Sequence, residues 1–153
     1  DLLVLNSAGG SVSILLNNGN GTFGAATNLT VGSAPDSIAL GDFDGDGDLD
    51  FAVATGSNIA IRHNNGDGTF TSVTGILTAF DPGAVTAGDF DGDGDNEVLV
   101  GSFDSTRVSL MQRRTDGSLA AVASIDIGAS VFQVEGDPAL AADLVAAAQA
   151  IAM

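Results

Sequence analysis

The sequence predicts an all-β fold of β-propeller blades: four-stranded antiparallel repeats of about 47 residues, forming an open arc or a fragment of a larger propeller. Three observations predict it. The chain repeats itself at a fixed spacing. Each repeat holds room for four short strands. Glycine supplies 21 of the 153 residues, too many for a helical bundle and suited to a chain of tight turns.

The repeat is clearest in two acidic stretches. Residues 41–51 read GDFDGDGDLDF, and residues 88–98 read GDFDGDGDNEV, 47 positions later. NNGNGTF at 17–23 returns as NNGDGTF at 64–70, and a worn RTDGSL stands at 114–119. Pro35 and Pro82 each lie seven residues before the first Asp of their acidic stretch. DLLVLNS (1–7), DFAVATGS (50–57) and EVLVGS (97–102) align with small gaps. Sustained self-similarity at this period marks a repeat architecture, whereas a β-sandwich rarely repeats its sequence so closely.

The complete repeat justifies its strands one by one. SIALGDF (37–43) is apolar and runs into the acids. FAVAT (51–55) is nearly continuous apolar chain, as expected of a buried strand. NIAIRH (58–63) alternates, with Ile59 and Ile61 on one face. NNGDG is a hairpin turn, because Asn and Gly accept positive φ, and TFTSVTGIL (69–77) leads out. Asp1 aligns with Asp50 and Glu97, so the sequence reads as starting in the middle of a repeat. The expected division is a partial blade at 1–30 with its last three strands, full blades at 31–77 and 78–127, and a degenerate partial repeat at 128–153. That is little more than three blades, where closed propellers have ~4–8, so open strand edges invite self-association.

Charge excludes whole classes of partner. The net charge is −16, and the only basic residues besides His63 are Arg62, Arg107, Arg113 and Arg114. Nucleic acid and anionic lipid both need basic surface, so cations are the natural partners. There is no Cys, hence no disulfide and no thiolate metal site. No apolar run is long enough to predict membrane insertion. The sequence has no initiator Met and no signal peptide, and is read as processed or as part of something longer.

Five carboxylates in one short turn oppose folding unless something offsets them, since two unit charges ~4 Å apart repel by about 1 kcal/mol even in water. A merely solvated acidic run does not require strict alternation, interleaved Gly, two copies and apolar flanks. A divalent cation does. D-x-D-x-D-G is the first half of an EF-hand loop, with Gly for the sharp bend. An EF-hand also needs a Glu at position 12 and flanking helices; here position 12 is Val53 or Val100, and the flanks are strands. The set closes instead at position 9. The first site, in loop 42–50, uses the side chains of Asp42, Asp44, Asp46 and Asp50. The second, in loop 89–97, uses those of Asp89, Asp91, Asp93 and Glu97. The main-chain carbonyls of Asp48 and Asp95 add a ligand each, and their side chains are expected to point to solvent. All-oxygen sets of this kind suit calcium, two ions in all, better than magnesium, and lack the softer ligands of zinc or copper.

DFDGDGDLD between strands of a long repeat, paired with NNGDGTF, resembles the FG-GAP/VCBS repeats, calcium-binding β-propeller repeats also found in the head of integrin α subunits. The resemblance covers nearly the whole chain. It implies calcium in the hairpin loop between the first two strands of a blade, an extracellular or cell-surface setting, and a non-catalytic role in adhesion or in binding an unidentified protein or glycan ligand. The alternatives are the propeller part of an extracellular polysaccharide hydrolase or lyase, and a purely architectural spacer.

The pattern breaks at both ends. After Asp137 come Pro138, Ala139, Leu140 and Ala141, so no metal is expected there. Alanine-rich 138–153 has the propensity of a helix capped by Asp137, but the repeat alignment favours strands. Asp1 lacks the other ligands of a loop. His63 is read as a strand-end surface residue rather than a catalytic base, and Arg113 with Arg114 as a solvated turn, the alternative being that they pair with neighbouring acids or contact an acidic ligand. Asp36, Asp81 and Asp104 are scattered near turns, without the paired geometry glycoside hydrolysis needs.

Overall fold

The computed structural model describes residues 1–56, 58–77, 81–102, 105–114 and 118–126. Among the described residues, eleven strands form three antiparallel sheets, each a simple meander. The first sheet holds β1 (Leu2–Asn6), β2 (Ser11–Leu15) and β3 (Thr27–Thr30). The second holds β4 (Ser37–Gly41), β5 (Asp50–Ala54), β6 (Asn58–Asn64) and β7 (Phe70–Leu77). The third holds β8 (Pro82–Gly88), β9 (Glu97–Ser102), β10 (Arg107–Arg113) and β11 (Leu119–Asp126). The described residues contain no α-helix, only a short 3-10 turn at Ser7–Gly9. The fold is all-β, as the sequence predicts, and its sheets are those of propeller blades. The strand-or-helix question at 138–153 lies outside the described residues, as does Asp104.

The sheets stack face to face, and β5 shows why. All five of its residues are buried. Successive side chains on a strand point to opposite faces. Phe51 and Val53 therefore join Val12, Ile14 and Val31 in the core shared with the first sheet. Ala52 and Ala54 join Val98, Val100 and Met111 in the core shared with the third. A strand covered on both sides must be apolar at every position, which is why FAVAT does not alternate. Phe70 braces the first interface, its ring 5.1 Å from that of Phe51.

β4 and β8 lie side by side as the leading strands of their sheets. Ser37 Oγ accepts a hydrogen bond from the Val85 N–H at 3.2 Å, which ties the two together. From each of these strands the chain turns into an acidic loop, 42–49 or 89–96, and returns as the second strand. The second residue of each loop, Phe43 or Phe90, drops into a core: Phe43 is fully buried between the second and third sheets. Both loops therefore emerge at the same rim of the stack. The NNGDG turn sits at that rim too. Its positive φ falls on Gly66 and Gly68. Asn64 and Asp67 hold the turn through their side chains instead, accepting from the Gly66 and Thr69 N–H groups.

Candidate metal centres

The two loops fold in the same way, bond for bond. Asp42 opens the first loop, and its two carboxylate oxygens accept hydrogen bonds from the N–H groups of Gly45 and Gly47, at 2.7 and 3.0 Å. Asp89 does the same for Gly92 and Gly94, at 2.6 and 3.2 Å. Those four glycines all have positive φ, between 75° and 100°. A side chain there would be strained, which explains the interleaved Gly. Further along, Asp44 accepts from the Asp46 N–H and Asp46 from the Asp48 N–H. Asp91 and Asp93 repeat these two steps onto Asp93 and Asp95.

The ninth position closes each loop from below. Asp50 Oδ2 accepts the Phe43 N–H at 2.8 Å, and Glu97 Oε2 accepts the Phe90 N–H at 2.8 Å. Asp50 also accepts the Asn64 N–H through Oδ1. Both acids are buried, 0% and 2% exposed. Burial pushes the pKa of each carboxyl up, against the lowering effect of these hydrogen bonds. The neighbouring charges of Asp91, Asp93 and Asp89 push Glu97 further in the same direction. The loops thus carry an electrostatic cost in the absence of a counter-ion.

The structure brings most of the sequence-predicted ligands together. Asp42, Asp44 and Asp46 offer oxygens within 4.8 Å of one another, as do Asp89, Asp91 and Glu97. Calcium–oxygen distances of ~2.3–2.6 Å place two ligands of one ion no more than about 5 Å apart, so these donor sets fit that ion. Asp50 converges with Asp44 and with His63 rather than with the first trio, and Asp44 is common to both groups. Asp93 stands outside the tight trio of its loop, engaged with the Asp95 N–H.

Three residues depart from expectation. His63 is not a free strand end: its Nδ1 lies 3.1 Å from Asp44 Oδ2. Gln112 is its counterpart in the third sheet and donates from Nε2 to Asp91 Oδ2 at 2.9 Å. The second acid of each loop is therefore braced from the end of the neighbouring strand by the residue at one and the same position. Arg113 is not a solvated turn. It donates from Nη1 to the Asp44 carbonyl at 3.0 Å and from Nη2 to the Asp95 carboxylate, so the Asp95 side chain is held rather than left to solvent. Asp48 remains exposed and leans over Gly66.

A family model for the FG-GAP-like repeat matches residues 1–53 and 42–100. The chain belongs to the FG-GAP-like repeat family. The first match carries the whole of loop 42–50, and the second runs from Asp42 through loop 89–97, so the matched residues include both candidate centres. No curated protein matches the chain. Elsewhere, Asp36 and Asp81 are exposed, not enclosed in an apolar setting that would keep an acid protonated. A cavity of about 420 Å³ opens beside the loop rim, between the first and second sheets. Leu3, Leu16, Leu49 and Phe70 line it together with Asp1 and Asp48.

Proposed function

We propose that the chain is a calcium-binding β-propeller repeat segment of a secreted or cell-surface protein, non-catalytic, which presents a rigid rim for adhesion or ligand binding. One observation carries the calcium reading: two acidic loops, 47 residues apart in sequence, adopt the same glycine-dependent cage around clustered carboxylate oxygens. Asp42, Asp44, Asp46 and Asp50 would hold one ion, and Asp89, Asp91, Asp93 and Glu97 the other, with the Asp48 and Asp95 carbonyls. Bound calcium would supply positive charge, moving the net charge from −16 to −12 for two ions.

The chain's own residues do the rest. The carboxylates are held by N–H donors within each loop, and an ion would complete the ordering of the loop while offsetting its charge. Phe43 and Phe90 anchor the loops in the cores, and His63 and Gln112 hold the second acid, Asp44 or Asp91. The adhesive role and the extracellular setting follow the family resemblance, and a charge of −16 disfavours nucleic acid as a partner. Calorimetric titration with calcium chloride tests the reading, with thermal melting in chelator and after calcium is restored. Two ions per chain and a Tm that falls and recovers are expected. No heat of binding at millimolar calcium, with an unchanged melting curve, would sink it.

A further inference from the structure

We propose that the two loops fill cooperatively, with Asn96 and Arg113 carrying the coupling between them; this rests on the calcium reading above. Asn96 lies in the second loop, between Asp95 and Glu97. It reaches back to the first ligand of the first loop in a reciprocal pair. Its Oδ1 accepts the Asp42 N–H at 3.0 Å, and its own N–H donates to the Asp42 carbonyl at 3.2 Å. Arg113, at the end of β10, adds the second clasp, one nitrogen on the Asp44 carbonyl and another on the Asp95 carboxylate. Four hydrogen bonds therefore run through two residues from one loop to the other.

The junction is built, not incidental. A Cβ on Gly41 would stand 2.9 Å from Asn96 Oδ1, and one on Gly45 would stand 2.8 Å from Arg113 Nη2. Both clasps occupy space that only glycine leaves open. They also use atoms the proposed coordination does not need. Asp42 gives its main chain to Asn96 and keeps its carboxylate for the ion. Asp44 gives its carbonyl to Arg113 and keeps its carboxylate. Asp95 does the converse, giving its carboxylate to Arg113 and keeping its carbonyl. One set of residues can therefore serve junction and ion together.

Coupling follows from shared ordering. Fixing one residue's backbone costs ~1–2 kcal/mol of conformational entropy. An ion in the second loop fixes Asp95 and Glu97, hence Asn96 between them, hence Asp42 across the junction. The first loop then meets its ion partly ordered, and binds it more tightly. Linkage requires the same factor in the opposite direction. The two dications repel, whereas the charge of Arg113, a fixed cation tied to both loops, weakens each ion's binding without coupling one to the other. Shared ordering is the larger effect, because it acts through direct hydrogen bonds while charge is screened at an exposed rim.

The test is calorimetric titration of the full chain with calcium chloride, together with calcium-dependent melting. In Asp91→Asn/Glu97→Gln, which disables the second loop, affinity at the first loop should fall roughly tenfold, within the usual range of coupling. In Asp44→Asn/Asp46→Asn the second loop should weaken by the same factor. Asn96→Leu/Arg113→Gln keeps every proposed ligand and should still take two ions, now independently. If it fails to fold, the two loop knockouts decide alone. Two independent sites in the unaltered chain, indifferent to loss of the partner loop, would overturn the coupling and leave the calcium reading standing. Absence of any calcium uptake would overturn both.

Discussion

Leu49 and Asn96 stand at the same position of the two acidic loops, yet the junctions they face differ in kind. Asn96 reaches the main chain of Asp42 in the neighbouring loop, and Arg113 clasps the same pair of loops beside it. Leu49, 59% exposed, looks instead into the cavity between the first and second sheets. The residue at the brace position follows the same division. His63 and Gln112 hold an acid, while Leu16, their counterpart in the first sheet, lines that cavity and is 46% exposed. The difference teaches that one repeat pattern supports two kinds of rim among the described residues: polar and clasped between the second and third sheets, apolar and open between the first and second. Rim chemistry is decided by a few positions per repeat, while the strands beneath stay alike.

The largest effect should come from the clasped side. Phe43 is fully buried where the second and third sheets meet, directly below the first loop. Phe43→Ala removes that ring and should cost about 3–5 kcal/mol in urea unfolding. Phe23, 40% exposed, belongs to the first sheet's turn, and Phe23→Ala should cost much less. Equal losses would show that the sheets do not depend on the packing beneath the clasped rim.

Asn96→Leu comes next, since it makes the second junction resemble the first. The Asp42 N–H loses its acceptor in a partly buried place, at a cost of about 1–3 kcal/mol. Arg113→Gln should lower Tm by less, because the guanidinium is exposed, and its effect should shrink in high salt. A larger loss for Arg113→Gln than for Asn96→Leu would reverse the assignment of the main clasp.

How much of this was legible in the sequence depends on distance along the chain. The strands could be read because alternation, apolar runs and Gly-rich turns are local signals that recur. The acids could be read as a cation site because spacing within nine residues determines their geometry. The clasps could not. Asn96 pairs with a residue 54 positions away, and Arg113 with one 69 positions away. Such contacts exist only once the sheets stack. His63 offered a partial signal, since it aligns with Gln112 at the end of a strand just before the turn. Alignment alone did not reveal that both turn toward the second acid of a loop.

Acid offers a test of both loops at once. Asp50 and Glu97 have pKa values raised above the ordinary 3.8 and 4.5, mainly by burial. In chelator, their ionisation on folding opposes stability at neutral pH. The folded state regains that stability as pH falls through the raised values, and the gain is complete below the ordinary ones. Asp67 acts oppositely: its pKa is lowered by Thr69, so its contribution is present above 3.8 and lost below. Mild acidification should therefore raise Tm in chelator until Asp67 begins to protonate. With calcium in excess the sign should reverse, because protons compete with the ion for the carboxylates. A Tm that falls on acidification in both conditions would remove the assigned cost of the buried ninth acid.

The smallest effect, and the sharpest on the comparison itself, is expected from Leu49→Asn. It places the clasping residue at the open junction. Leu49 is largely exposed, so losing its side chain costs little packing, and a surface change of this kind stays within about 0.5 kcal/mol. No neighbouring acidic loop is present among the described residues of the first sheet to receive the new amide, so stability should not rise. An unchanged Tm would make the clasp a property of two adjoining loops and not of asparagine at that position. A clear rise in Tm for Leu49→Asn would mean that the amide finds a partner across the cavity, most directly Asp1, which lines the opposite wall, and the contrast between the two junctions would then reduce to one side chain.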